Sequence, residues 1–222
     1  MEKVKTEPSS TSRSKILVIG ATGGTGRLIV SQALALGHEV TALVRSSEKG
    51  QELKGAKLII GDARDEAILR KAVKGQQVVI SALGTPVSPF REVTLLSTAT
   101  QALVNAMKAE SVPRLICITG MGAGDSAGHG GFIFDRLILP LLLRKVYADK
   151  NRQEEIVRKS GLEWILIRPS ELNNKSGRDS LRTLTDLSHF HGGTISREDV
   201  AKFLLDQLRS DSWLLRSPLI TW

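Results

Sequence analysis

Lys15-Ile-Leu-Val-Ile-Gly-Ala-Thr-Gly-Gly-Thr-Gly-Arg27 is the stretch that decides the fold of this 222-residue chain. An apolar run, Ile16 to Ile19, stops at Gly20. Glycines then recur at positions 20, 23 and 26, and Leu28, Ile29, Ala33 and Leu34 follow at helical spacing. The pattern predicts a strand, a glycine-rich turn and a helix, the setting in which such a motif binds a dinucleotide. Gly20 allows a sharp turn off the strand. Gly23 and Gly24 let backbone approach a pyrophosphate, and Gly26 lets the helix pack close to the sheet. Phosphates then meet free N–H groups at the positive end of the helix dipole. Gly20, Thr22, Gly23, Gly24, Thr25 and Gly26 are therefore expected to bind the cofactor.

Outward from this turn, apolar strands alternate with helices. Strands are expected at 16–19, 39–44, 57–60, 78–81, 115–118 and 164–167, and a last one near 213–219. Helices are expected at 27–36, 67–73, 92–109, 152–160 and 197–208. Continuous Val/Ile/Leu strands imply a sheet covered on both faces. Repeated strand–helix units imply parallel strands joined by right-handed crossovers. The expected architecture is a single-domain α/β Rossmann-type fold with a doubly wound parallel sheet over residues 15–222, its small C-terminal part covering the substrate. Residues 1–14, polar and rich in Ser, Thr, Glu and Lys, read as a disordered tail. Residues 120–131 carry six glycines and predict a loop. Residues 132–146 are very apolar, but too short and too interrupted by Asp135, Arg136 and Pro140 to span a bilayer. They predict either a core or dimer helix, or the wall of an apolar substrate pocket.

Composition narrows the function classes. The chain is 41% hydrophobic and 24% charged, as ordinary globular proteins are. The formal net charge is +8, but basic residues are scattered and aromatics are only 4%. That disfavours nucleic acid or an anionic membrane surface as a partner and suits steering of an anionic cofactor or substrate. The lone Cys117 lies in an apolar run and reads as a buried structural thiol. His129, His189 and His191 lack zinc-site spacing, so no metal is expected. A small-molecule substrate, a monomer or homodimer, no membrane partner and a cytoplasmic setting complete the expectation.

The strand at 39–44 ends in Arg45, where an NAD site usually places a carboxylate for the ribose 2′-hydroxyl. A guanidinium suits a 2′-phosphate instead, so NADP(H) is the expected cofactor. Asp62, followed by Ala63, is placed to meet the adenine amine or to cap a helix. Ala82, Leu83 and Gly84 are small enough for backbone to pass the adenosine ribose and pyrophosphate.

Together these residues resemble the atypical short-chain dehydrogenase/reductases, the NAD(P)H-binding group related to biliverdin-IXβ/flavin reductase and to NmrA-like regulators. The resemblance runs from about residue 15 to 208. It rests on residues 20–26, Arg45, Gly61-Asp62, Ala82-Leu83-Gly84, residues 118–123, residues 160–169 and Ile195-Ser-Arg-Glu-Asp-Val-Ala201. It implies Thr119, Tyr147 and Lys150 as catalytic positions, with Thr119 and Lys150 also touching the cofactor. Many relatives use a Ser after the fifth strand and Tyr-x-x-x-Lys on the next helix. Here Thr119-Gly120-Met121 stands at the strand end. Lys150 follows Tyr147 at i+3, and Val146 falls where the family tyrosine would be. Pro169 and Ser170, with Glu171 and Leu172, are expected at the nicotinamide end. The implied function is hydride transfer from NADPH to a small conjugated or carbonyl substrate, such as a flavin, tetrapyrrole, quinone or metabolite carbonyl. The alternatives are an NmrA-like redox sensor without turnover, and a non-redox isomerase or cyclase on the same fold.

Overall fold

The computed structural model describes residues 13–178 and 180–222. Six strands run parallel: β1 (Lys15–Ile19), β2 (Glu39–Val44), β3 (Lys57–Ile60), β4 (Val78–Ser81), β5 (Arg114–Ile118) and β6 (Glu163–Pro169). Four short strands follow: β7 (Glu171–Asn173), β8 (Arg182–Leu184), β9 (Thr194–Ser196) and β10 (Leu219–Thr221). The main sheet has the order β3-β2-β1-β4-β5-β6-β10-β8, with β8 antiparallel at the edge, while β7 and β9 form a separate parallel pair. Strand order reverses between β1 and β4, so the crevice for a ligand opens at their carboxyl ends.

The helices are α1 (Gly24–Ala35), α2 (Ser47–Gly50), α3 (Glu66–Val73), α4 (Leu95–Ala109), α5 (Arg144–Arg158) and α6 (Arg197–Asp206). Side-chain alternation along each strand divides the core into two layers. Ile16, Val18, Ala42, Ile80, Ile116 and Ile165 face α1 and α6, meeting Ile29, Ala33, Val200 and Leu204. Leu17, Ile19, Leu43, Val79, Leu115 and Leu166 face α3, α4 and α5, meeting Leu69, Leu103, Met107 and Val157. Each fully buried aliphatic side chain stabilises the fold by about 1.5–3 kcal/mol. Both faces are thus dry, as the continuous apolar strands require.

The glycine turn has a steric cause. Gly20 has φ +79°, and a Cβ there would stand 2.5 Å from the Ala82 carbonyl oxygen. A Cβ on Gly26 would overlap the Gly20 carbonyl oxygen. α1 therefore packs on the end of β1 only with glycine at both places.

Four differences from the sequence reading have physical reasons. The strand expected at 213–219 starts only at Leu219. Residues 211–216 instead turn, with Leu215 at φ +56°, and Pro218 has no N–H for a ladder. α5 begins at Arg144 rather than residue 152, because its inward side is largely polar: Asp149, Gln153 and Glu154 are buried beside Val146 and Val157. The apolar segment is not a core helix. A π-helical stretch, Phe134–Leu143, runs into α5 with no buried residue. Pro140 lies inside it and leaves one ladder bond unmade, since it has no N–H to donate. Finally, Ser14 belongs to the fold: it is buried, donates its N–H to His38 Nδ1 at 3.1 Å and accepts from Glu39 N at 2.9 Å. Arg13 pairs with Glu39 at 3.3 Å, and residues 1–12 of the expected tail lie outside the described residues.

Candidate functional site

Two cavities lie at the carboxyl ends of the strands. The first, about 600 Å³, is lined by Gly20, Thr22 and Gly23 after β1, Arg45 after β2, Asp62 and Ala63 after β3, and Ala82, Leu83 and Gly84 after β4. Nine of the residues assigned to the cofactor from sequence therefore share one groove. Gly24, Thr25 and Gly26 do not line it. Thr25 is buried, Gly26 serves the packing of α1, and the place of a Gly24 Cβ is filled by the Arg197 side chain, 3.0 Å away.

Charge in this groove is fixed by short-range partners. Asp62 accepts from Arg64 N at 2.8 Å, Arg64 Nε at 2.9 Å and Arg64 Nη2 at 2.6 Å. These bonds, with a smaller contribution from the Arg45 charge, hold its carboxyl down to about 2. A carboxylate has about four acceptor sites, so Asp62 keeps acceptor capacity beyond these three bonds. The cap of α3 is Asp65, which accepts from Ala67 N at 2.9 Å and Ile68 N at 3.2 Å. Arg45 is exposed at the strand end. Arg64, tied to Asp62, lines the groove as well, so a cradle of bare backbone with Arg45 and an Asp62–Arg64 pair at its rim fits a dinucleotide with a charged ribose.

The second cavity, about 740 Å³, is walled by Met121, Phe132, Ile133, Phe134, Ile138 and Leu172, with Thr119, Tyr147, Lys150, Pro169, Ser170 and Glu171 at polar points. Of the two sequence readings of residues 132–146, a core or dimer helix and a pocket wall, the cavity lining fits the second, and the structure adds which side chains form it. Lys150 Nζ donates to the Thr119 carbonyl at 2.5 Å and lies 5.2 Å from the Tyr147 ring centroid. Burial pulls the Lys150 ammonium down to about 8, against an opposing pull from Glu154. Gly120 makes this possible: a Cβ there would stand 2.8 Å from Lys150 Nζ.

Tyr147 and Thr119 are both engaged. The Tyr147 hydroxyl donates to the Met121 carbonyl at 2.7 Å, and its ring meets Phe134 edge-on at 5.9 Å. Burial, then the nearby Asp135 charge, pushes the phenol up to about 12. The Thr119 hydroxyl donates to Glu154 Oε1 at 2.8 Å. Glu154 pairs in turn with the buried Arg168, whose Nε and Nη2 donate at 2.9 and 2.6 Å, and Arg168 Nη1 also pairs with Asp125. This network stands behind the cavity and positions its floor. Asp149 likewise caps α4 from α5, accepting from Leu96 N at 2.8 Å and Ser97 N at 3.3 Å. The sequence signal for it was a carboxylate two residues beyond Tyr147, indistinguishable from a solvated one until burial is known. Cys117 is fully buried and its thiol is pushed up to about 12, so it is no nucleophile. Among the described residues no His/Cys/Asp/Glu group could hold a metal ion, and no helix is long and apolar enough to cross a membrane.

A glycine cradle at the switch point of a doubly wound sheet, beside a second cavity, defines a dinucleotide-binding protein of the Rossmann type. Residues 20–211 match the model of the NAD(P)H-binding family, and the chain belongs to that family. It is 29% identical over 200 residues to an uncharacterized sugar epimerase, YhfK, of Bacillus subtilis, covering 87% of each chain. It is 42% identical to an isoflavone reductase homologue of Zea mays, over 34% of this chain and 28% of that protein. The anaerobillin reductase ChuY of Escherichia coli O157:H7 superposes with a TM-score of 0.80 at 20% identity, covering 94% of this chain and 97% of that one. At that identity the likeness shows the fold alone.

Proposed function

We propose that the protein is an NADPH-dependent reductase acting on a conjugated or carbonyl acceptor held in the second cavity. The observation that carries this reading is the apolar cavity of about 740 Å³ with Lys150 at its floor, beside the cofactor groove. When bound, the reduced nicotinamide supplies the hydride. Arg45 holds the 2′-phosphate through its guanidinium fork, which selects NADPH over NADH. Lys150, steadied by the Thr119 carbonyl, offers its remaining N–H groups to the nicotinamide ribose. Pro169 and Ser170, which line the cavity, would hold the nicotinamide end of the cofactor. Phe132, Phe134 and Ile138 exclude water and orient an apolar acceptor, so that proximity supplies most of the acceleration.

Tyr147 is not assigned the proton transfer. Its hydroxyl is held by Met121, and a phenol pushed up to about 12 is a poor acid at neutral pH. The proton then comes from water, which suits an acceptor whose added charge is delocalised over a conjugated ring. A sugar is a poor fit, because its hydroxyls would lose water against a mostly apolar wall. The names of a reductase homologue and a structural neighbour are in keeping with this reading.

The test is the absorbance of bound NADPH against flavins, linear tetrapyrroles, quinones and small carbonyls. Enzyme-dependent oxidation with one class is expected. Tight binding without oxidation across all four would move the reading to a redox sensor. Substrate conversion with no cofactor consumed would move it to a non-redox enzyme.

A further inference from the structure

The apolar stretch between the glycine loop and α5 wraps the second cavity and also leaves much of itself bare. Phe132 is 78% exposed, Ile133 65%, Leu137 51%, Leu141 67% and Leu142 48%. In a π-helix, residues four and five apart fall along one side, so Leu137, Leu141 and Leu142 form one apolar strip. Contiguous exposed apolar surface of this kind marks an interaction site. Phe132, Ile133 and Ile138 line the cavity and are exposed at once, so the strip is continuous with the cavity's rim.

Charge identifies the occupant. Arg136, Arg144 and Lys145 are exposed along and just beyond the strip. Asp135, the one acid between residues 130 and 148, is half-buried. A second copy docked on this face by two-fold symmetry would bring the same cations towards one another, with little negative charge to meet them. A bilayer with anionic headgroups meets both parts of the surface: acyl chains take the leucines and phosphates take the arginines and lysine.

We propose that the Phe132–Lys145 segment docks this protein on an anionic lipid surface, with the cavity mouth turned towards the lipid. This departs from the expectation of no membrane partner, which was drawn from the scatter of the basic residues and from the lack of a spanning segment. It goes beyond the reductase reading and does not depend on it, because docking is scored without turnover.

The experiment is co-sedimentation of the full chain with phosphatidylcholine vesicles, with and without phosphatidylglycerol. Binding to the anionic vesicles and weaker binding to the neutral ones are expected. The double variant Leu141→Ser/Leu142→Ser keeps the net charge, and neither residue lines a cavity. It is expected to bind anionic vesicles at least about tenfold more weakly, with NADPH affinity unchanged as the check on folding. Wild-type protein left in the supernatant overturns the proposal. So does a double variant that binds as well as wild type, since charge alone then suffices. A homodimer in light scattering that the double variant dissolves assigns the face to a second copy and also overturns it.

Discussion

The two cavities are built from different materials. The first is mostly backbone: strand ends, a glycine turn and small side chains, with Arg45 and Asp62 added at the rim. The second is mostly side chains, brought from the ends of β5 and β6, from the π-helical segment and from α5. A backbone cradle suits a ligand shared by a whole family. A side-chain wall is free to vary, so it suits the ligand that distinguishes one member from another.

Breaking the support behind the second cavity has the largest expected effect. Glu154→Gln leaves the buried Arg168 with only Asp125, and is expected to cost about 3–5 kcal/mol and to lower Tm by about 10 °C. Thermal unfolding checks this; a change within error would show that the ion pair is dispensable. On the cofactor side, Gly26→Ala forces α1 away from Gly20 and is expected to cost about 1–3 kcal/mol together with most NADPH affinity. Normal affinity in a fluorescence titration would contradict the steric account.

Arg45→Asp is expected to weaken NADPH binding about 10- to 100-fold and to leave NADH nearly unaffected. An unchanged preference would remove Arg45 from the site. Lys150 titrates near 8, below its ordinary 10.5, so its ammonium is intact below that pH and lost as pH rises through it. NADPH affinity is therefore expected to fall above about pH 8, and Lys150→Met to flatten the profile; a wild-type profile flat from pH 7 to 9 would refute the contact. The smallest effect belongs to Tyr147→Phe, which should change the turnover rate by less than about twofold. A loss of a hundredfold would restore the tyrosine as proton donor.

Legibility in the sequence follows the same division. The glycines at 20 and 26 were readable because backbone geometry demands them whatever the ligand. The six parallel strands were readable because burial on both faces demands continuous apolar runs. Arg45 and Asp62 were readable from their places after strands. The start of α5 was not, since its buried positions 149, 153 and 154 carry polar residues and present no apolar stripe. The wall of the second cavity was readable only as an apolar stretch. Which of its residues turn inward depends on a π-helical ladder that no periodicity of 3.6 reveals. Thr119 borders the second cavity but spends its hydroxyl on Glu154, a partner 35 residues away that no local pattern shows.

Asp149 has a mechanical consequence. It grips the start of α4, where the next residue back, Leu95, borders the first cavity, while its neighbours Tyr147 and Lys150 on α5 border the second. One carboxylate thus acts as a spacer bar between two pockets, holding them apart by a length that neither ligand chooses.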